Sequence, residues 1–160
     1  MKLNEHQYFL RKFARPDIHF SYDEAPIAYL QHQESVLTPE IQKHASESWD
    51  SNVSSALAST TVALSPATID KLFQNPTIRN TAMSILLGNK GMTSGNLRTA
   101  WKEFSKPSVV YSADDNTKIY NVNKLISHPL ASRDIIEAAL THENPNVRNR
   151  AEYEARKRKY

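Results

Sequence analysis

The chain of 160 residues contains no cysteine. That absence excludes a disulfide framework, thiolate metal sites, iron–sulfur ligation and a cysteine nucleophile, and it makes a reducing compartment such as the cytoplasm the expected location. Glycine is nearly as scarce. The three glycines, Gly88, Gly91 and Gly95, fall within eight positions. A β-rich fold of this size needs more glycine turns, spread more evenly, so the composition leans towards helices. Long apolar runs are missing too. No stretch approaches the roughly 20 apolar residues of a membrane span, and no apolar run follows Met1-Lys2-Leu3 to suggest a signal peptide, so no membrane partner is expected. Without that signal, the sequon Asn52-Val53-Ser54 is taken as a chance match.

What is present fits a globular protein: 39% hydrophobic and 23% charged residues, with enough length to bury a core. Net charge is +3, and its placement says more than its size. Positions 148–160 hold six basic and two acidic residues, a net +4, so the other 147 residues sum to −1.

Prolines punctuate the chain, being welcome in the first turn of a helix and hostile to its interior. Leu37-Thr38-Pro39-Glu40 and Leu64-Ser65-Pro66-Ala67 are two versions of one helix start, 27 positions apart, with Thr38 or Ser65 as N-cap. A stronger echo joins Asn75–Ala82 to Asn144–Ala151 under the pattern Asn-Pro-x-[Ile/Val]-Arg-Asn-x-Ala, at a spacing of 69. Upstream, Ser65, Ile69, Asp70 and Phe73 correspond to Ser132, Ile136, Glu137 and Leu140.

Each copy predicts two short helices. In the first, Ser65 caps a helix carrying Ile69, Leu72 and Phe73, and after the break at Asn75-Pro76 a second carries Ile78, Ala82, Ile85 and Leu86. In the last, Ser132 caps a helix with Ile135, Ile136, Ala139 and Leu140, and Asn144-Pro145 restarts one with Val147, Ala151 and Tyr153 or Ala155. These apolar positions keep the three-and-four spacing of a helical stripe. Between the copies, Thr93 or Ser94 caps a helix with Leu97, Ala100, Trp101 and Phe104. Pro107 opens a stretch through Tyr111, and Asp115 or Asn116 begins a helix with Ile119, Val122, Leu125 and Ile126. A repeat of roughly 30 to 35 residues with irregular members follows. The aromatic-rich start, with Tyr8, Phe9, Leu10 and Phe13 and then Ile27, Ala28 and Leu30, is expected to form a helical cap over residues 1–36, ahead of repeats over 37–160 that end in a basic helix.

A short capped helix, an Asn-Pro or His-Pro break, then [Ile/Val]-Arg-x-x-Ala: this combination resembles HEAT-like repeats, and within them the leucine-rich-repeat variants. Ser65 to Leu86 and Ser132 to Tyr153 carry the resemblance, and Leu125 to Pro129 carries a fragment of it. The resemblance implies an all-α fold, a short α-solenoid of tandem helix–turn–helix repeats. It does not fix an activity, because such arrays serve as protein scaffolds, nucleic-acid binders and occasionally enzymes. The cysteine cluster that can accompany leucine-rich-repeat variants has no counterpart here.

Candidate sites follow from charge and repeat position. Arg79 and Arg148 occupy equivalent places, where guanidinium groups either line a face that holds carboxylates or phosphates, or tie one repeat to the next. Arg150, Arg156, Lys157, Arg158 and Lys159 are candidate phosphate or partner contacts, with Tyr153 and Tyr160 nearby as stacking groups that favour single strands. Against this, Glu152 and Arg156, and Glu154 and Arg158, have the spacing of helix-stabilising ion pairs. Asn75 and Asn144 are expected to cap the helices that Pro76 and Pro145 begin. Trp49, Trp101 and Phe104 are assigned by default to the core, and Trp101 is the candidate hot spot if exposed. Gly88–Gly95 lacks the Gly-Lys-Ser/Thr ending of a phosphate loop and is expected to be a flexible connection.

No two of the six histidines stand at the spacing of a helical metal pair, and no nucleophile elbow or Walker motif occurs. No metal, cofactor, small-molecule substrate or catalytic residue is therefore expected. The leading expectation is a non-catalytic adaptor or regulator that binds a protein. The alternative is a DNA- or RNA-binding protein that uses the basic C-terminal helix. A HEAT-like DNA glycosylase would need a basic groove with an acidic residue and aromatic walls, for which the chain is short.

Overall fold

The computed structural model describes residues 37–104 and 115–160, so the expected cap over 1–36 and the stretch from Pro107 to Tyr111 lie outside the described residues. Eight helices and no strand occur among the described residues: α1 (Pro39–Ser46), α2 (Ser51–Ala58), α3 (Pro66–Gln74), α4 (Asn80–Leu86), α5 (Ser94–Phe104), α6 (Asp115–Ile126), α7 (Arg133–Ala139) and α8 (Pro145–Lys157). The chain divides into two compact units, Met1–Gly91 and Met92–Tyr160.

In the first unit, α1 and α3 start alike. Thr38 and Ser65 accept hydrogen bonds from the amides of Ile41 and Thr68, and proline fills the first helical position of each. Helix α2 has no counterpart in the sequence reading. Asp50 caps it by accepting from the Asn52 amide, and its buried run Val53–Ala58 includes Ser54 and Ser55. Helix α1 pairs with α2, α3 lies on α1, and α4 lies on α2. α1 and α2 form a helical hairpin with α3 and α4 laid along it, a packing consistent with a helical repeat. Ile41, Leu57, Ile69, Leu72, Phe73 and Leu86 are all buried in it.

Polar side chains tie α1 and α2 to the segment that follows them. Gln42 accepts from the Ser65 amide and the Thr68 hydroxyl and donates to the Leu37 carbonyl. Asn75 is buried, and its Nδ2 donates at 2.9 Å to the carbonyls of both Ser46 and Ser48, while its Oδ1 accepts from the Thr77 amide. Asn89, also buried, donates to the Val62 carbonyl and accepts from the amides of Leu64 and Gly91. Ser55 supplies its hydroxyl to the Arg79 amide at the start of α4. The seven long-range bonds among these span 23 to 29 positions, bracketing the 27-residue offset between Thr38 and Ser65. Loops that cross a packed helix end carry backbone groups that must be satisfied, and here the neighbouring segment satisfies them.

The second unit is built from α5 to α8, with α6 touching α5, α7 and α8, and α7 paired with α8. Its core is Val122, Ile126, Ile136, Ala139, Val147 and Ala151, with Trp101, Phe104, Ile119, Leu140 and Ala155 packed around it. The fully buried alanines, Ala139 and Ala151, carry no bulk beyond Cβ and let the helices approach closely. Thr93 is the N-cap of α5, its hydroxyl accepting from the Asn96 amide while Asn96 Oδ1 accepts from the Thr93 amide, a reciprocal cap.

Several expectations need correction. The two Asn-Pro motifs share a local turn and then diverge. Asn75 and Asn144 each accept from the amide two residues on, at 2.9 and 2.8 Å, but helix α8 begins at Pro145 whereas α4 begins only at Asn80. Asn144 is thus an N-cap, and Asn75 instead caps the C-terminal end of the preceding helix and is the main stitch. Ile78 and Val147 are both buried, Ile78 from the turn and Val147 from the helix. Ile85 is exposed rather than in the stripe, and the inward residue late in α8 is Ala155, not the exposed Tyr153. Ser132 stands at the N-cap of α7 without a capping bond from its side chain. The glycine-bearing loop is held down by Asn89, and Gly91 presses on the backbone of Leu64, where a Cβ would lie 2.0 Å from the carbonyl oxygen.

Candidate binding surfaces

The candidate cations fall into two groups with different surroundings. Arg158 turns inward. Its Nε is 3.2 Å from the carboxylate of Glu154, itself buried, and its terminal nitrogens donate to the carbonyls of Ala131 at 2.8 Å, His128 at 2.7 Å and Ile126 at 3.4 Å. A planar guanidinium suits this, because it reaches several acceptors at once from one fixed fork. Arg158 closes the end of α6 and the turn to α7 and is a structural residue, not a free phosphate contact. Arg148 does similar work at the turn before α8, donating to the carbonyls of His142 at 2.7 Å and Glu143 at 2.9 Å. Arg79 lies in the first unit, where its guanidinium donates to the Asn52 side chain on α2. Arg79 and Arg148 therefore sit in different units, each engaged locally.

Arg150, Arg156, Lys157 and Lys159 are exposed. Arg150 lies over the ring of Tyr153, 5.8 Å from its centre. Arg156 reaches the Glu152 carbonyl at 3.4 Å rather than that residue's carboxylate. Past the helix end, Lys159 has φ 60°, and the amides of Lys159 and Tyr160 return to the carbonyls of Arg156 and Ala155. This left-handed turn closes the helix as a glycine normally would. It leaves Tyr160 47% exposed with Arg133, from the start of α7, 5.2 Å over its ring. Arg133 also holds Glu137 at 2.7 Å. The pairing of Arg133 with Tyr160 has no signal in the sequence, because 27 positions separate them.

The tryptophans exchange roles relative to expectation. Trp101 is half-buried against the second core, its ring 6.4 Å from that of His142. Trp49, assigned to the core by default, is 72% exposed in the turn between α1 and α2. Its neighbours Ser46 and Ser48 supply the carbonyls that Asn75 holds, so the exposed indole stands on a fixed turn. Beside this turn, Lys71 of α3 donates to Glu47, and its ammonium holds the Glu47 carboxyl below the usual carboxylate range against the opposing effect of partial burial.

Among the described residues, no group of three or more His, Cys, Asp or Glu side chains is arranged to hold a metal ion, and no helix is long and apolar enough to cross a membrane. The chain matches no protein-family model, no curated protein and no solved structure.

Proposed function

We propose that this chain is a non-catalytic binding protein, a short α-solenoid similar to HEAT-like and leucine-rich-repeat-variant arrays, that acts in the cytoplasm as an adaptor or regulator of another protein. The observation that carries the reading is Trp49. An indole 72% exposed on a turn pinned by buried hydrogen bonds has the character of an interface anchor, large and apolar and fixed in advance of binding. The packing of α3 on α1 and of α4 on α2 is consistent with a repeat architecture. The test is capture of partners from cell extract on immobilised protein, comparing the unaltered chain with Trp49→Ala. Loss of a captured protein by about ten-fold or more supports the assignment, and identical captures would remove Trp49 from it.

A second reading has its own support. The exposed Arg150, Arg156, Lys157 and Lys159 outnumber the exposed Glu152 on the same segment, which suits a polyanion, DNA or RNA. Gel mobility with labelled DNA and RNA at low and moderate salt tests it, since phosphate contacts weaken steeply as salt rises. No retardation at low salt would dismiss it.

A further inference from the structure

We infer that the outer face of α8, together with Arg133 at the start of α7, binds single-stranded nucleic acid by stacking bases on two arginine–tyrosine pairs. This rests on the nucleic-acid reading above and specifies its ligand. Four features carry it. Tyr153 and Tyr160 are 53% and 47% exposed, so each offers ring surface to a ligand. Each has a guanidinium over its ring, Arg150 at 5.8 Å and Arg133 at 5.2 Å. The exposed cations Lys157 and Lys159 lie on the same segment, as does Arg156. Finally, the acids that would oppose a phosphate chain are largely engaged: Glu154 by Arg158, Glu137 by Arg133 and Asp134 by Arg98.

The chemistry favours a single strand over other polyanions. An acidic peptide offers carboxylates to the cations but nothing flat to lie against the tyrosine rings. A duplex offers phosphates but keeps its base faces stacked inside. Only a strand with unstacked bases presents phosphates and π faces together, and stacking of this kind tolerates any base. The same surface predicts a sequence-tolerant, salt-sensitive ligand. Arg158 and Glu154 take no direct part and instead hold the end of α8 against the turn after α6.

Fluorescence polarisation of the full chain tests this, with labelled single strands of roughly 15 nucleotides, a duplex of the same length, and polyglutamate. At about 50 mM salt the single strand is expected to bind most tightly. Tyr153→Ala and Tyr160→Ala should each weaken it about ten-fold, with Tyr153→Phe near the unaltered chain. Lys157→Gln should weaken it and flatten its salt dependence. Circular dichroism of each variant checks that the helices remain. Duplex or polyglutamate bound as tightly as the single strand, or Tyr153→Ala without effect while charge substitutions weaken binding, would overturn base stacking and leave a simple phosphate surface. Absence of binding to any nucleic acid at low salt would overturn this inference together with the reading beneath it.

Discussion

Gly91 shows how a single hydrogen atom in place of a side chain can set the spacing of a turn. A Cβ there meets the Leu64 carbonyl oxygen at 2.0 Å, with the Leu64 carbonyl carbon and nitrogen just beyond, and backbone cannot step aside as a flexible side chain can. Gly91→Ala should therefore lower stability by about 2 kcal/mol or more in urea denaturation, as over-packing does. Asn75 is the polar counterpart. Its Nδ2 meets two carbonyl oxygens and its Oδ1 meets an amide. Asn75→Ala should cost about 1–3 kcal/mol, the penalty for buried carbonyls left without a donor. Asn75→Asp, almost identical in shape, should cost more, because it sets an oxygen against both carbonyls. The same denaturation series would show that order. Lys159 is the reverse case, a residue with φ 60° where glycine would be relaxed. Lys159→Gly is expected to raise stability by about 1 kcal/mol.

At the level of elements, the end of α8 divides between fold and surface within three residues. Arg158→Ala strands the buried Glu154 carboxylate and the carbonyls of His128 and Ala131, and should destabilise by about 3 kcal/mol, with Arg158→Lys recovering little of it. Exposed Lys157, its neighbour, should tolerate alanine without measurable loss. A chain cut after Glu152 would remove both kinds of residue at once, so loss of binding in it would report unfolding of α8 as readily as loss of phosphate contacts. Helices α1 and α3 are joined by the Lys71–Glu47 pair. Because the Glu47 carboxyl sits below its ordinary value of 4.5, its contribution is complete above that value and disappears as pH falls through the lower folded one. With side chains 46% and 43% exposed, the pair is worth at most about 1 kcal/mol. The stability gap between the unaltered chain and Lys71→Met should accordingly narrow as pH is lowered below 4.5.

Helices with a proline start and a striped face were legible in the sequence. Thr38, Ser65 and Thr93 cap where expected, and Ile69, Leu72, Phe73, Ile135, Ile136 and Val147 are all inside. Helix α2 escaped because its inward run contains Ser54 and Ser55, whose hydroxyls meet the Thr77 hydroxyl and the Arg79 amide 23 and 24 positions further on. The Asn-Pro motif misled in its first copy for a similar reason: the demands of the Ser46 and Ser48 carbonyls, 29 and 27 positions away, decide what Asn75 does. The basic tail was visible as charge, and charge alone does not separate Arg156 from Arg158; only the register set by Val147 and Ala151 places Arg158 on the inward stripe.

Across the whole molecule, charge and fold are separable in this tail. Replacing Arg156, Lys157 and Lys159 together by glutamine takes the net charge from +3 to zero and touches none of the core. The melting temperature should stay within about 2 °C, whereas solubility near neutral pH should fall as mutual repulsion vanishes. Turbidity against added polyethylene glycol would measure it.

The stitch at Asn75 carries one more consequence, which concerns ageing rather than folding. Asparagine commonly decays to aspartate when the next residue's backbone nitrogen attacks the side-chain amide, and that attack needs a nitrogen bearing hydrogen. Asn75 is followed by Pro76, and Asn144 by Pro145, whose nitrogens have none. A residue whose conversion to aspartate would set an oxygen against two carbonyls of the first unit is thus coupled to the neighbour that closes this route, so this amide bridge is protected from the commonest form of asparagine decay.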